Sequence, residues 1–224
     1  MTPLTIAIDG PVGAGKSTIS DVVAQRLGIL HLDTGAMYRA VGLAAMQSGV
    51  DVKDEEAVCR LCKEGKAQVD VNYRDGKQIT LLNGVDVSAL IRAQEVGGAA
   101  SVVSRYPLVR KMLVARQQEM AKAQSMLLDG RDIGTVVLKD ATVKIYLTAS
   151  PEARAQRRRN QLLEKGLDTP FETILAEVND RDYRDTHRQA DPLRQAPDAV
   201  LLDSSDLSFD ETVNAILALV EEKQ

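Results

Sequence analysis

Aromatic side chains, cysteine and histidine are scarce in this chain. Its 224 residues include no Trp, two Phe, two Cys and two His, although 44% of them are hydrophobic. We therefore expect an ordinary core that is built from aliphatic side chains. No apolar run reaches about eighteen residues, so the sequence predicts no membrane-spanning helix.

Net charge, the N-terminal sequence and chain length indicate further what kind of protein this is. The formal net charge of −4 predicts no nonspecific affinity for nucleic acid. The N-terminus enters a predicted strand at once, without the basic and apolar regions of a secretory signal, so we expect a cytoplasmic protein. The length fits one α/β domain with an insert, or two small domains.

The two cysteines form a single C-x-x-C, Cys59 to Cys62, inside a stretch with helical character. A redox motif of this kind would follow a strand and open a helix. A zinc site would need two more ligands, and His31 and His187 are both distant in sequence. We expect two reduced, partly buried thiols.

A glycine-rich stretch near the N-terminus matches G-x-x-x-x-G-K-[ST], the phosphate-binding loop or P-loop. It lies between an apolar predicted strand, 4–8, and a predicted amphipathic helix, 17–27. In that context backbone N–H groups and the helix N-terminus bind phosphate, Lys16 faces the outer phosphates, and the Ser17 hydroxyl is a ligand for Mg²⁺. The alternative is a chance glycine-rich turn. The predicted ATP phosphate-binding residues are Gly10, Pro11, Val12, Gly13, Ala14, Gly15, Lys16, Ser17 and Thr18.

A second strand, 29–32, is predicted to end at a polar Asp33-Thr34-Gly35 turn. We expect Thr34 to cap a helix that runs from Ala36 to about Ser48, with Arg39 in its first turns. The carboxyl end of a strand is where α/β sheets bind ligands. An ordinary helix cap with a solvated arginine is the alternative.

Between about residues 51 and 96 the alternation of strands and helices is interrupted. A short helix, 54–64, precedes the alternating stretches 67–73, 77–82 and 85–87, which are separated by the turn signals Arg74-Asp75-Gly76 and Asn83-Gly84. The pattern predicts a small antiparallel sheet. We predict an insert over 51–103, a core of 1–50, 104–149 and 187–224, and a lid with its following helix over 150–186.

Predicted helices at 92–103 and 107–123 lead to an apolar strand, 126–129, that ends in Asp129. A carboxylate at this position beside a P-loop can hold the hydration shell of Mg²⁺. The next residues, through Gly134, place Arg131 and Asp132 in one turn. That turn could also be simply solvated.

Two later helices carry unusual charge patterns. The first starts at Ser150 or Pro151 and contains an arginine cluster, 154 and 157–159, which suits a basic surface, a nucleic-acid contact or a lid over phosphates. The second begins at Phe171, and its apolar face continues into Arg181, Asp185 and Arg188. Unpaired burial would cost several kcal/mol for each charge, so the pattern requires an anionic ligand or carboxylate partners. A purely structural charge network is the alternative.

Four blocks together, residues 8–11, 32–39, 129–137 and 179–185, resemble bacterial cytidylate kinases, within the nucleoside monophosphate kinases. The resemblance covers essentially the whole chain. It implies an α/β fold: a five-stranded parallel sheet with the P-loop, flanking helices, a helical lid and an antiparallel β insert in the monophosphate-binding region. It implies phosphoryl transfer from Mg·ATP to CMP and dCMP. We expect these small-molecule partners, no nucleic acid, no membrane and a monomer.

The resemblance also implies roles for individual residues. Catalytic roles fall on Lys16, Arg131, Arg188 and lid arginines such as Arg157 or Arg159, and metal roles on Ser17 and Asp129. The acceptor's phosphate would be held by Thr34, Arg39 and Arg131, with Asp33 alongside, and its cytosine by Ser101, Arg110 and Asp132. Arg181 and Asp185 would approach its sugar. Relatives often carry Ser at position 34, and Thr keeps the hydroxyl.

The implied chemistry agrees with the residues present. Phosphoryl transfer depends on positioning and charge neutralisation, and an acceptor phosphate is already ionised, so no general base is needed. Two alternatives stay open at this point. One is a P-loop kinase for another nucleotide or a metabolite, and the other is a nucleotide-dependent switch or RNA-associated regulator.

Overall fold

A computed structural model describes residues 3–164 and 166–223. Strands and helices follow each other as β1 (Thr5–Asp9), α1 (Lys16–Leu27), β2 (Leu30–Asp33), α2 (Thr34–Gln47), α3 (Glu55–Lys63), β3 (Val69–Arg74), β4 (Lys77–Leu82), β5 (Val85–Asp86), α4 (Gln94–Val103), α5 (Pro107–Ala123), β6 (Met126–Gly130), β7 (Val143–Thr148), α6 (Pro151–Glu164), α7 (Phe171–His187), β8 (Val200–Asp203) and α8 (Phe209–Lys223). A 3₁₀ turn at Leu90–Arg92 precedes α4. No helix among these residues is long and apolar enough to span a bilayer.

The central sheet has five strands in the order β2-β6-β1-β7-β8, and all of its pairings are parallel. This confirms the predicted five-stranded parallel sheet. Asp129 pairs in register with Ile8 on one side and Asp33 on the other. The carboxyl ends of β1, β2 and β6 therefore meet at one edge, where the P-loop also begins.

Aliphatic side chains fill both faces of the sheet, as predicted. One face packs against α1 and α8 through side chains such as Ile8, Val23 and Ile216. The other packs against α2 and α5, through Leu128, Met37 and others. Both faces are thus covered by helices, which parallel sheets require.

The predicted antiparallel sheet is present as β3-β4-β5. Its side chains bond to the end of β2. Gln78 accepts from the Asp33 N–H (2.7 Å) and donates to the Asp33 carbonyl (3.3 Å), while the Tyr73 hydroxyl donates to the His31 carbonyl (3.0 Å). The small sheet therefore contacts the polar turn that follows β2.

The prediction that Thr34 caps the second helix is wrong. Helix α2 begins at Thr34 itself, and Asp33 is the N-cap, with Oδ1 accepting from the Ala36 N–H at 3.0 Å. The Thr34 hydroxyl instead donates to the Asp129 carbonyl at 2.7 Å. Both side chains can cap a helix, and the neighbouring strand β6 decides between them by offering Thr34 a buried acceptor.

The predicted polar turn after β6 leads into a single π-helical turn, Ile133–Val137. Cys59 and Cys62 are free thiols in the interior of α3, as expected. Burial raises the pKa of both thiols, that of Cys62 to about 11. Thiols in that state are poor nucleophiles at neutral pH.

Candidate active site

The P-loop joins β1 to α1 and depends on glycine for steric reasons. At Gly10, where φ is +152°, an added Cβ would lie 1.9 Å from the carbonyl oxygen of Leu147 on β7. At Gly13, where φ is +77°, it would lie 3.2 Å from Cβ of Arg154. The loop is thus held close to both the sheet and helix α6.

Lys16 is buried at the start of α1, and its Nζ donates to the Pro11 carbonyl at 2.7 Å. Burial, reinforced by Arg131, lowers the pKa of the Lys16 ammonium group to about 7. The carboxylates of Asp129, Asp185 and Asp9 offset this lowering only in part, and a bound phosphate would add the negative charge that favours the protonated lysine.

Ser17 and Asp129 lie side by side where α1 begins and β6 ends. The Ser17 hydroxyl donates to Asp129 Oδ2 at 2.8 Å. No group of three or more His, Cys, Asp or Glu side chains in residues 3–164 and 166–223 is arranged to hold a metal alone. These oxygen donors suit Mg²⁺, which usually takes one or two protein ligands together with substrate phosphates.

A buried cluster of opposite charges occupies the turn after β6. Asp132 accepts hydrogen bonds from Arg110, through Nη2, and from Arg188, through Nη2 at 3.1 Å. Arg110 also donates from Nε to Asp191 at 2.7 Å and lies over the Tyr38 ring, 5.8 Å from its centroid. Because Asp132, Arg110 and Arg188 are all buried, their charges compensate one another.

A second ion pair lies nearer the P-loop lysine. Arg131 donates from Nε to Asp185 Oδ2 at 2.8 Å. Although burial raises it, the pKa of Asp185 is held below its usual value by Arg131. Arg181, one turn earlier on α7, has a buried Nε without a hydrogen-bond partner among the described residues. Burial and Arg131 lower the pKa of Arg181 to about 10.

The remaining residues predicted at the acceptor have other partners. Arg39 donates to the carbonyls of Ile91 (3.0 Å) and Ala93 (3.4 Å), just before α4. Asp33 forms an ion pair with Arg92 (3.2 Å). Ser101 accepts a 3.4 Å hydrogen bond from Arg184.

The arginines of α6 have separate surroundings. Arg154 donates to the carbonyls of Ala149 (2.8 Å) and Val12 (2.9 Å) and pairs with Asp182 on α7 (2.7 Å). Arg157 donates to the hydroxyl and carbonyl of Ser204, just after β8. Arg159 has a buried Nε that lacks a partner in the described part of the chain.

Comparison with known proteins decides the family. A model of the family described as "Cytidylate kinase" matches residues 6–222. The chain belongs to the cytidylate kinase family. A curated cytidylate kinase from Ligilactobacillus salivarius is 46% identical over 98% of this chain and 97% of its own length. Another, from Streptococcus mutans, is 45% identical over 96% of this chain and 95% of its own.

Solved structures share the fold at much lower identity. A gluconokinase from Sinorhizobium meliloti 1021 aligns with a TM-score of 0.50 at 14% identity, over 99% of this chain and 93% of that one. An uncharacterized protein from Eubacterium ventriosum gives 0.52 at 10% identity, over 97% and 98%. These likenesses concern the fold alone.

Two buried residues of this cytidylate kinase family member contact the candidate active site although the sequence pattern did not predict them there. His31 lies between Asp21 and Asp129 and contacts both. Burial alone would lower its pKa, but hydrogen bonds with Asp129 and Asp21 outweigh burial and raise the pKa of His31 to about 10. The three residues lie on different elements, β2, α1 and β6, so no spacing in the sequence indicated the contact.

Asp9 is the second unpredicted residue, at the end of β1. Its carboxylate accepts from the N–H groups of Ile133 (2.7 Å) and Gly134 (2.8 Å). It thereby fixes the turn that carries Arg131 and Asp132. The carboxylate directly before the P-loop was the available signal, and its partners lie more than a hundred residues away.

A separate cavity of about 410 Å³ opens between α3, β3 and α5. Its lining is mainly apolar and includes Val41, Cys62, Val69, Val109 and Leu113. None of the residues predicted at the active site lines it. Its surface does not suit a phosphate, so the candidate active site remains the charged edge of the sheet.

Proposed function

We propose that this chain transfers the γ-phosphoryl group of Mg·ATP to CMP and dCMP, with CDP or dCDP and ADP as products. The observation that carries the proposal is the buried Asp132 between Arg110 and Arg188, close to the P-loop turn, in a member of the cytidylate kinase family. The P-loop suits the donor phosphates. The charged cluster suits a phosphoryl acceptor whose base carries both a hydrogen-bond donor and a hydrogen-bond acceptor.

Lys16 is proposed to bind the outer phosphates of ATP. Its ammonium group is already directed into the loop, where it donates to the Pro11 carbonyl. A phosphate oxygen can replace that carbonyl, and its negative charge favours the protonated lysine. Ser17 and Asp129 are proposed to hold Mg²⁺, which when bound would neutralise charge on the β- and γ-phosphates.

Arg131 and Arg188 are proposed to neutralise charge on the transferred group, together with Arg157 or Arg159 from the lid. One arginine in this role is worth roughly 10³–10⁵ in rate. Arg131 is oriented by Asp185, and Arg188 by Asp132. No residue has to remove a proton, since the acceptor phosphate is already ionised. Closure of a lid would exclude water, which competes for the phosphoryl group.

Base selection is proposed to depend on Asp132 and Arg110. The 4-amino group of cytosine can donate a hydrogen bond to the Asp132 carboxylate. Its N3 and O2 atoms can accept hydrogen bonds from Arg110. Uracil reverses the donor and acceptor at C4 and N3. A site that depends on such pairing rejects the wrong base because buried polar groups would stay unpaired.

The insert over 51–103 is proposed to close the monophosphate side, and residues 150–186 to form the lid and its following helix. The bonds from Gln78 and Tyr73 to the end of β2 support the first role. The monomeric state and the cytoplasmic location stay predictions.

A coupled ADP-release assay tests the function. The enzyme is supplied with Mg·ATP and with CMP, dCMP, UMP, AMP or no acceptor. We expect turnover with CMP and dCMP well above the rest. Preference for another acceptor would indicate a different kinase, and ADP release that is independent of acceptor would indicate a hydrolysing switch.

A further inference from the structure

His31 forms a bridge from the surface to the buried Asp129. Its Nδ1 lies 2.6 Å from Asp21 Oδ1, and its Nε2 lies 3.0 Å from Asp129 Oδ1. The His31 side chain is 6% exposed and that of Asp129 is 5% exposed, whereas that of Asp21 is 72% exposed. The imidazole therefore fills a closed space between two acidic side chains.

Both carboxylates can only accept hydrogen bonds when they are ionised. Each of the two ring nitrogens of His31 must then carry a hydrogen and donate it, in either orientation of the ring. Asp21 orients the ring by its bond to Nδ1, and the ring in turn fixes one oxygen of Asp129.

The other oxygen of Asp129 faces the P-loop. Ser17 donates its hydroxyl hydrogen to Oδ2 at 2.8 Å, while His31 occupies Oδ1. The Thr34 hydroxyl holds the Asp129 backbone carbonyl at 2.7 Å. The carboxylate is thus fixed in its plane, with Oδ2 directed to Ser17.

We propose that His31, oriented by Asp21, is a positioning residue that keeps Oδ1 of Asp129 away from the cation of the nucleotide, so that only Oδ2, beside the Ser17 hydroxyl, faces that cation. This inference rests on the proposed role of Asp129 in Mg²⁺ binding. Mg²⁺ requires near-octahedral geometry and keeps several of its waters, which a single carboxylate oxygen can hold, whereas Ca²⁺ readily takes both oxygens of one carboxylate directly. By occupying Oδ1, His31 favours Mg²⁺ over Ca²⁺.

The test compares nucleotide affinity with the two cations. Dissociation constants for an ATP analogue with an imido bridge between its β- and γ-phosphorus atoms are measured by calorimetry in Mg²⁺ and in Ca²⁺, on the full chain. Residues that orient metal ligands are typically worth about 10- to 100-fold in affinity. We expect His31→Leu to reduce the preference for Mg²⁺ by roughly tenfold.

Two further variants separate positioning from packing. His31→Gln keeps an N–H donor for Asp129 and should retain the preference. Asp21→Ala, at an exposed site, should shift the preference in the same direction as His31→Leu but less. His187→Gln changes the other histidine of the chain, which is exposed, and should leave the preference unchanged.

Several results would overturn the proposal. It fails if the wild type shows no preference for Mg²⁺, or if His31→Leu weakens binding equally with both cations. Should His31→Leu fail to fold, Asp21→Ala decides, and an unchanged preference there counts against the proposal. A wild type that binds the Mg²⁺ nucleotide but phosphorylates no CMP would contradict the proposed function and leave this inference standing.

Discussion

Asp132→Asn is the sharpest test of the proposed cytosine site. In the protein both carboxylate oxygens of Asp132 accept from guanidinium groups, Oδ2 from Arg110 and Oδ1 from Arg188. Asparagine has nearly the same shape but replaces one oxygen by an NH₂ group. That NH₂ cannot accept from an arginine, and it can donate to the O4 of uracil.

The size of the effect follows from the bond that is lost. A hydrogen bond to a charged group contributes about 1.5–3 kcal/mol. At about 1.36 kcal/mol for each tenfold change in rate, this corresponds to a fall of roughly 10- to 150-fold in the ratio of kcat/KM for CMP to that for UMP. Most of this fall should come from a lower kcat/KM for CMP, and the rest from a higher kcat/KM for UMP.

Steady-state kinetics with CMP and UMP at saturating Mg·ATP measure the ratio. The matched control is Asp191→Asn, because Asp191 also accepts from Arg110 (2.7 Å) but is not proposed to contact the base. Asparagine also tolerates the positive φ of residue 191, +48°. An unchanged ratio in Asp132→Asn, or an equal fall in both variants, would refute the assignment of Asp132.

Two further predictions concern residues that hold the site together. Gly10→Ala should abolish binding of the ATP analogue or prevent folding, because its Cβ would lie 1.9 Å from the Leu147 carbonyl oxygen. The control Gly28→Ala, at φ +64° with no atom within 4 Å of the added Cβ, should lower the free energy of unfolding by only about 1–2 kcal/mol. A folded Gly10→Ala with normal affinity in calorimetry would contradict this. Burial raises the pKa of Asp9 from 3.8 to about 6, so the folded chain retains a proton that the unfolded chain has lost, and this group lowers the free energy of unfolding as pH rises from about 4 to about 6. Asp9→Asn should lose that component, and urea denaturation of both proteins across this pH range checks the difference in slope.

Local signals predicted most of the fold. Helix α5 begins at Pro107 and ends at Ala123 as expected, because proline is favoured at the first position of a helix. The charges that continue the apolar face of α7 were expected to be buried with partners, and Asp185 and Arg188 are indeed buried. Periodicity identifies such positions because it depends only on neighbours along one helix.

Contacts between distant elements account for what the sequence did not predict. Asp9 reaches Ile133 and Gly134 across more than a hundred residues, and His31 joins three separate elements. The assignment of the α2 cap failed for the same reason, since the partner of Thr34 lies on β6. Each of these side chains had an acceptable local role, and only the packed sheet selects another.

The balance of charge explains how an acidic protein can accommodate an anionic substrate. The net charge is −4, and the guanidinium groups of Arg131 and Arg154 are paired with Asp185 and Asp182 of α7. Such pairing offsets the large cost of burying charge before any ligand arrives. Arg181 differs from these two, since its buried Nε, like that of Arg159, has no partner in the described residues. A buried donor left unpaired costs about 1–3 kcal/mol, and a ligand oxygen would remove that cost, so the position supports its proposed place beside the acceptor nucleotide.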